Sequence, residues 1–131
     1  MAKVLVVDDA KIMRMNIGNM LKKLGHEVIA EAPNGYMSIQ MYKKHIPDIV
    51  TMDITMPAEN GIENGIDAVK AIKSEFPDAK IIMVTSHGEQ DKVIQAIQSG
   101  ASNYLLKPIQ IDKLQEIILK TIGSEAVYKK I

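Results

Sequence analysis

The feature that most constrains the fold is a regular alternation of short apolar runs with segments of helical periodicity. Five apolar runs are each followed by a segment in which apolar residues recur every three or four positions; the runs are residues 4–7, 28–30, 49–52, 81–84 and 104–106. The runs are continuous rather than alternating, which indicates strands buried on both faces. The pattern therefore predicts an α/β fold in which helices cover both faces of a doubly wound, five-stranded parallel sheet, (βα)5.

The third apolar run leads directly into a carboxylate. Residues 49–52 are long enough for one buried strand, Asp53 follows them, and Pro57 prevents further regular pairing. An acid at the carboxyl end of such a strand lies at the edge where open α/β sheets bind ligands. A charge placed there costs free energy unless something compensates it. We therefore expect a ligand or a counter-charge opposite Asp53.

Polar side chains also follow three other strands. Asp8 and Asp9 come after the first run, Thr85 after the fourth and Lys107 after the fifth. Right-handed crossovers place the carboxyl ends of all parallel strands on one edge of the sheet. Taken singly, Asp8 and Thr85 are explained as helix caps and Lys107 as a solvated surface lysine. Their joint placement with Asp53 instead predicts one site.

Composition excludes several classes of function. The 16 basic residues balance 16 acidic ones, and Arg14 is the only arginine, so nucleic-acid binding is not expected. The absence of cysteine excludes disulfides and thiolate metal sites and fits a reducing, cytoplasmic location. No apolar stretch reaches membrane-spanning length and no signal-peptide pattern begins the sequence, so we expect no membrane association.

Four short motifs resemble those of one known family, the receiver domain of two-component response regulators. The motifs are Val-Val-Asp-Asp at 6–9, Met-Asp-Ile-Thr-Met-Pro at 52–57, Val-Thr-Ser at 84–86 and Lys-Pro at 107–108. The likeness covers residues 3 to about 121 and is greatest to the stand-alone, CheY-like group. It implies a flavodoxin-like (CheY-like) fold with strand order 2-1-3-4-5. Residues 1–122 are then the receiver domain, and residues 123–131 a tail or an extension of the last helix, with no effector domain expected after it.

The resemblance also implies a role for each acid. Asp53 is the nucleophile, phosphorylated by a histidine kinase or a small phosphodonor. Clustered carboxylates repel one another, and an all-oxygen site favours Mg²⁺. By resemblance the metal set is Asp8, Asp9, Asp53 and the backbone carbonyl of Thr55, with Asp8 acting mainly through water.

Further roles follow from the same resemblance. Thr85, Ser86 and Lys107 bind the phosphoryl group, and Tyr104 is an aromatic switch with two positions. Thr55 and His87 tune loss of the phosphoryl group, for which a merely solvated His87 is the alternative. Pro108 is structural.

The predicted function is a phosphorylation-activated switch that accepts phosphate from a histidine kinase and binds a partner protein. The output surface comprises the fourth helix, fifth strand and fifth helix, and a monomer is expected. Chemotaxis with a flagellar motor switch as partner, a phosphate sink and a phosphorelay intermediate all remain open.

The residues after the first strand argue against two other classes of protein. A flavodoxin-like electron carrier needs a Ser/Thr/Gly-rich phosphate loop after the first strand, where this chain has Asp8 and Asp9. A phosphatase with an aspartate nucleophile usually has its two acids two residues apart, whereas these are adjacent. Both classes are therefore disfavoured, and we do not expect a turnover enzyme.

A near repeat lies beside the site. Asn-Gly-Ile-Glu at 60–63 is followed by Asn-Gly-Ile-Asp at 64–67, whereas the family normally has one such unit. The extra residues either extend the third helix by a turn or lengthen the loop before it. Because glycine disfavours helix and Asn-Gly favours turns, we predict a longer loop with the helix starting near Gly65.

Overall fold

The computed structural model describes residues 1–123, in which five strands alternate with five helices. The strands are β1 (Lys3–Val7), β2 (Glu27–Ala32), β3 (Ile49–Asp53), β4 (Ile81–Thr85) and β5 (Asn103–Leu106). The helices are α1 (Lys11–Lys23), α2 (Gly35–His45), α3 (Gly65–Glu75), α4 (Gln90–Gln98) and α5 (Ile111–Ile122). All neighbouring strands pair in parallel in the order β2-β1-β3-β4-β5, which confirms the predicted fold. The predicted tail or helix extension lies outside the described residues beyond Gly123.

The sheet separates two apolar layers. Leu5, Val50 and Met83 belong to a buried cluster that includes residues of α2, α3 and α4. Their strand neighbours point the other way, where Val4 and Ile82 join a cluster with α1 and α5. Burial on both faces explains why the central strands are continuous apolar runs. No helix within residues 1–123 is long and apolar enough to cross a membrane.

The edge strand β2 is longer than its apolar run. It extends over Glu27–Ala32 rather than residues 28–30, and both Glu27 and Glu31 are exposed. An edge strand pairs on one side only and tolerates such charges, so hydrophobicity alone underestimates its length.

Side-chain caps define the starts of two helices. Asn34 Oδ1 accepts a hydrogen bond of 2.8 Å from the Met37 N–H, which confirms Asn34 as the predicted N-cap of α2. Helices α1 and α4 begin without a side-chain cap hydrogen bond, so neither Asp8 nor Thr85 is a helix cap. That explanation of these two residues is excluded.

The first Asn-Gly unit forms a tight turn. Asn60 and Gly61 have φ of 46° and 84°, and Glu59 and Ile62 exchange two backbone hydrogen bonds of 3.0 and 2.9 Å. This is the geometry of a two-residue type I′ hairpin, for which Asn-Gly is the favoured sequence. Helix α3 then begins at Gly65, so the predicted longer loop is confirmed.

Candidate functional site

The structure brings together the three acids that follow β1 and end β3. Carboxylate oxygens of Asp8, Asp9 and Asp53 lie within 4.8 Å of one another. Asp8 and Asp53 are 1% and 5% exposed, whereas Asp9 is open to solvent. Because β1 and β3 are hydrogen-bonded neighbours, their carboxyl ends place these side chains side by side. The cluster follows directly from strand order.

Lys107 reaches the acids from β5. Its Nζ lies 3.6 Å from Asp8 Oδ2 and 3.5 Å from Asp53 Oδ1. Strand β4 lies between β3 and β5, so the long lysine side chain spans one strand to make both ion pairs. A hydrogen bond of 2.8 Å from the Lys107 N–H to the Thr85 carbonyl fixes the start of this loop. One ammonium facing three carboxylates leaves the site net negative.

The acids fit a hard divalent cation. Asp8 Oδ1 accepts a hydrogen bond of 2.9 Å from the Ala10 N–H, but its buried Oδ2 has no hydrogen-bond partner. A buried carboxylate oxygen without a donor is costly unless a cation lies beside it, and the Lys107 ion pair is long. The oxygen-only set of Asp8, Asp9 and Asp53 is the kind that Mg²⁺ prefers. The predicted Mg²⁺ site is therefore compatible with the residues present.

The environment of Asp53 shifts its ionisation. Burial raises the pKa of Asp53, repulsion from Asp8 raises it further, the Lys107 ammonium lowers it and Asp9 adds a smaller increase. The net result is a pKa of about 6, against an ordinary value of 3.8. At pH 7 the carboxylate form predominates, and this is the form that can act as a nucleophile.

The raised pKa predicts a specific pH dependence of stability. The folded protein holds the Asp53 proton more tightly than the unfolded chain, so this group stabilises the fold below pH 4 and loses that contribution as pH rises through 6. Without metal, Asp53→Asn is expected to raise the free energy of unfolding at pH 7 by about 1–2 kcal/mol, a value reduced for solvent screening. The gain is expected to vanish near pH 4.

Urea unfolding at a series of pH values, with a chelator present, measures this difference. Asp78→Asn is the matched control, because Asp78 is exposed and lies at the opposite, amino end of β4. An Asp53→Asn gain that is the same at pH 4 and pH 7 would contradict the explanation.

A carboxylate missed by the sequence analysis, Glu89, joins two loops of the site. Thr85 Oγ1 donates to Glu89 Oε1 at 3.1 Å, and the Ser86 N–H donates to the same oxygen at 2.8 Å. Thr55 Oγ1 donates to Glu89 Oε2 at 2.8 Å. We call these three hydrogen bonds the Glu89 bridge. It connects the β3–α3 loop to the β4–α4 loop beside the acid cluster.

The bridge keeps Glu89 ionised. Partial burial acts to raise the pKa of Glu89, but the Ser86 amide, the two threonine hydroxyls and the Lys92 ammonium outweigh it, and the pKa lies below its ordinary value. The spacing Ser86-x-x-Glu89 is that of a capping box, in which a glutamate accepts from the backbone N–H three residues earlier; here that bond forms although α4 begins only at Gln90. That signal was present in the sequence.

Arg14 is a second residue whose role was missed. Its Nη1 donates to the backbone carbonyl of Asp8 at 2.6 Å, and its Nε pairs with Glu31 Oε1 at 3.0 Å. The guanidinium thus ties α1 and β2 to the backbone that carries the acids. No local motif in the sequence indicates this contact.

The remaining predicted residues lie around the cluster. Thr55, Ser86 and His87 are exposed in the loops after β3 and β4, and Tyr104 lies on β5 with 45% of its surface exposed. Pro108 is exposed and follows Lys107 across a cis peptide bond.

An apolar groove opens beside the site between α4 and β5. It has a volume of about 560 Å³ and includes Thr85 and His87 at one end. Four large apolar side chains in its lining are unusually exposed: Ile94 56%, Ile97 42%, Tyr104 45% and Leu106 44%. We call this surface the α4–β5 groove.

Comparisons with known proteins agree with this geometry. The family model for the response regulator receiver domain matches residues 4–119. The chemotaxis protein CheY of Bacillus subtilis is 49% identical over 121 residues, which cover 92% of this chain and 98% of that protein. CheY of Thermotoga maritima is 47% identical over 118 residues, covering 90% and 95%. A solved CheX-CheY-BeF3-Mg complex from Borrelia burgdorferi matches with a TM-score of 0.83 and 28% identity, covering 90% of this chain and 87% of that one.

Proposed function

The chain belongs to the response regulator receiver family, and from that membership we propose that Asp53 is its phosphoacceptor. It is a CheY-like receiver domain of two-component signalling and therefore a switch rather than a turnover enzyme. The observation that supports Asp53 most directly is its position: a buried carboxylate beside two other acids, with the Lys107 ammonium 3.5 Å away. We take residues 1–122 as the receiver domain and 123–131 as its tail.

In the proposed reaction an Asp53 carboxylate oxygen attacks phosphorus and the donor's leaving group departs, forming an acyl phosphate. Lys107, already paired with Asp53, offsets charge on a phosphoryl oxygen, and the Thr85 hydroxyl and Ser86 offer donors to the others. Asp8, Asp9, Asp53 and the Thr55 carbonyl would hold Mg²⁺, which would supply further charge neutralisation.

Hydrolysis of the acyl phosphate returns the switch to its unmodified state. Thr55 and His87 each lie two residues beyond a central site residue, Asp53 and Thr85. Both are exposed to solvent. We propose that they set the lifetime of the acyl phosphate, while Pro108 fixes the loop that carries Lys107.

The proposed output is a change in the face formed by α4, β5 and α5. When Thr85 turns to the phosphoryl group, it vacates space at the end of the α4–β5 groove, into which the Tyr104 ring can rotate. The groove's exposed apolar lining suits a protein partner. A histidine kinase is the proposed donor. A flagellar motor switch is one candidate partner, with phosphate-sink and phosphorelay roles as the alternatives, for a monomer acting in the cytoplasm.

Intact mass measurement of the purified protein tests the proposal. With acetyl phosphate and Mg²⁺ we expect each chain to gain one phosphoryl group, and a chelator to prevent the gain. Peptide mapping should locate the group at Asp53, and it should be lost on standing. A label on another residue would refute the assignment. Rapid release of inorganic phosphate from simple phosphate esters, without a labelled chain, would indicate a phosphatase instead.

A further inference from the structure

The hydroxyl of Thr85 has a single proton, for which Glu89 and a phosphoryl group on Asp53 would compete as acceptors. In the unmodified protein it donates to Glu89 Oε1 at 3.1 Å, with the Ser86 carbonyl as a more distant acceptor at 3.3 Å. A hydroxyl donates only one hydrogen bond at a time. A phosphoryl group on Asp53 can therefore gain the Thr85 donor only when the bond to Glu89 breaks.

The rest of the Glu89 bridge does not depend on Thr85. Glu89 Oε1 also accepts from the Ser86 N–H at 2.8 Å, and Oε2 accepts from Thr55 at 2.8 Å. Lys92 Nζ lies 3.9 Å from Oε2, one turn along α4. The Glu89 carboxylate therefore keeps these other donors when the Thr85 hydroxyl turns away, and its charge is not left without a partner. The competition concerns the Thr85 proton alone.

Given the proposed function, on which this inference rests, we propose that Glu89 is a positioning residue that holds the Thr85 hydroxyl in the unmodified protein and so opposes phosphoryl binding. The bond to an ionised acceptor is stronger than one to a neutral acceptor. Removing the charge of Glu89 shifts the resting population toward the conformation that the phosphoryl group selects.

Beryllofluoride with Mg²⁺, a mimic of the phosphoryl group, is the probe, and NMR titration of the full chain gives its affinity. Glu89→Gln is expected to bind about tenfold more tightly than the wild type, the scale of one charge-assisted hydrogen bond. Before any ligand is added, the amide resonances of His87 and Tyr104 in this variant should already be displaced toward their ligand-bound positions. Asp91→Asn is the matched control: it removes one exposed charge from the first turn of the same helix.

A double variant separates positioning from general electrostatics. In a Thr85→Val background, Glu89→Gln is expected to change the affinity by less than about twofold, because the bond being competed for is already absent. Equal or weaker binding by Glu89→Gln, an equal gain in Asp91→Asn, or a gain that persists without the Thr85 hydroxyl would overturn the inference. If the wild type itself showed no saturable binding, the phosphoacceptor assignment would fail first.

Discussion

Asp53→Asn is expected to abolish phosphoryl uptake, lowering the labelling rate with acetyl phosphate and Mg²⁺ by on the order of 10³-fold or more. The amide lacks the negative oxygen that attacks phosphorus, and it removes one of the three carboxylates gathered within 4.8 Å. Intact mass measured over time checks the loss, with wild-type protein labelled in parallel.

Unfolding does not explain such a loss, because the raised pKa of Asp53 means that a neutral side chain stabilises the metal-free fold at pH 7. Asp78→Asn, at the amino end of β4, serves again as control and should label at the wild-type rate. A label that persists in Asp53→Asn would move the nucleophile to Asp8 or Asp9, the neighbouring carboxylates.

The acid cluster could be predicted because it depends only on strand ends. Once the strands are parallel, Asp8, Asp53, Thr85 and Lys107 must reach the same edge of the sheet, whatever their rotamers. The parallel sheet covered by helices on both faces could also be predicted, because continuous apolar runs indicate strands that are buried on both faces. The strand order was taken from the family resemblance, because periodicity does not specify which strands are neighbours.

The residues that were missed act through side-chain conformation in loops or across elements. Glu89 lies four residues beyond Thr85, and its carboxylate reaches Thr55, which is 34 positions away in sequence. Arg14 contacts the backbone of Asp8 and the side chain of Glu31 on another element. Such contacts depend on how loops approach one another, which the pattern of hydrophobic residues does not encode. The capping-box spacing was the one local signal available.

The two Asn-Gly units of the near repeat have different surroundings in the structure. The Gly65 N–H of the second unit donates to the Ile54 carbonyl at 2.8 Å, and the Gly65 backbone lies against the end of β3. A Cβ at this position would lie 2.1 Å from the Asp53 carbonyl oxygen. The second unit is thus packed against the end of β3, whereas the first, with Gly61, forms the hairpin.

Gly65→Ala is expected to lower the free energy of unfolding by about 3 kcal/mol or more, at the upper end of overpacking costs. The obstacle at 2.1 Å is the backbone of Asp53 rather than a flexible side chain, so relief requires α3 or the end of β3 to move. Urea unfolding measures the loss. Because the displaced backbone carries the phosphoacceptor, the labelling rate of the folded fraction should fall as well.

Gly61→Ala is the matched contrast in the first unit. Gly61 has a positive φ of 84°, but a Cβ there would meet nothing within 4 Å. Only backbone strain opposes the substitution, so we expect a loss of about 1 kcal/mol and no change in labelling. Gly65 has no positive φ, so contact with the Asp53 backbone is the reason for glycine at this position, and equal losses for the two variants would contradict it.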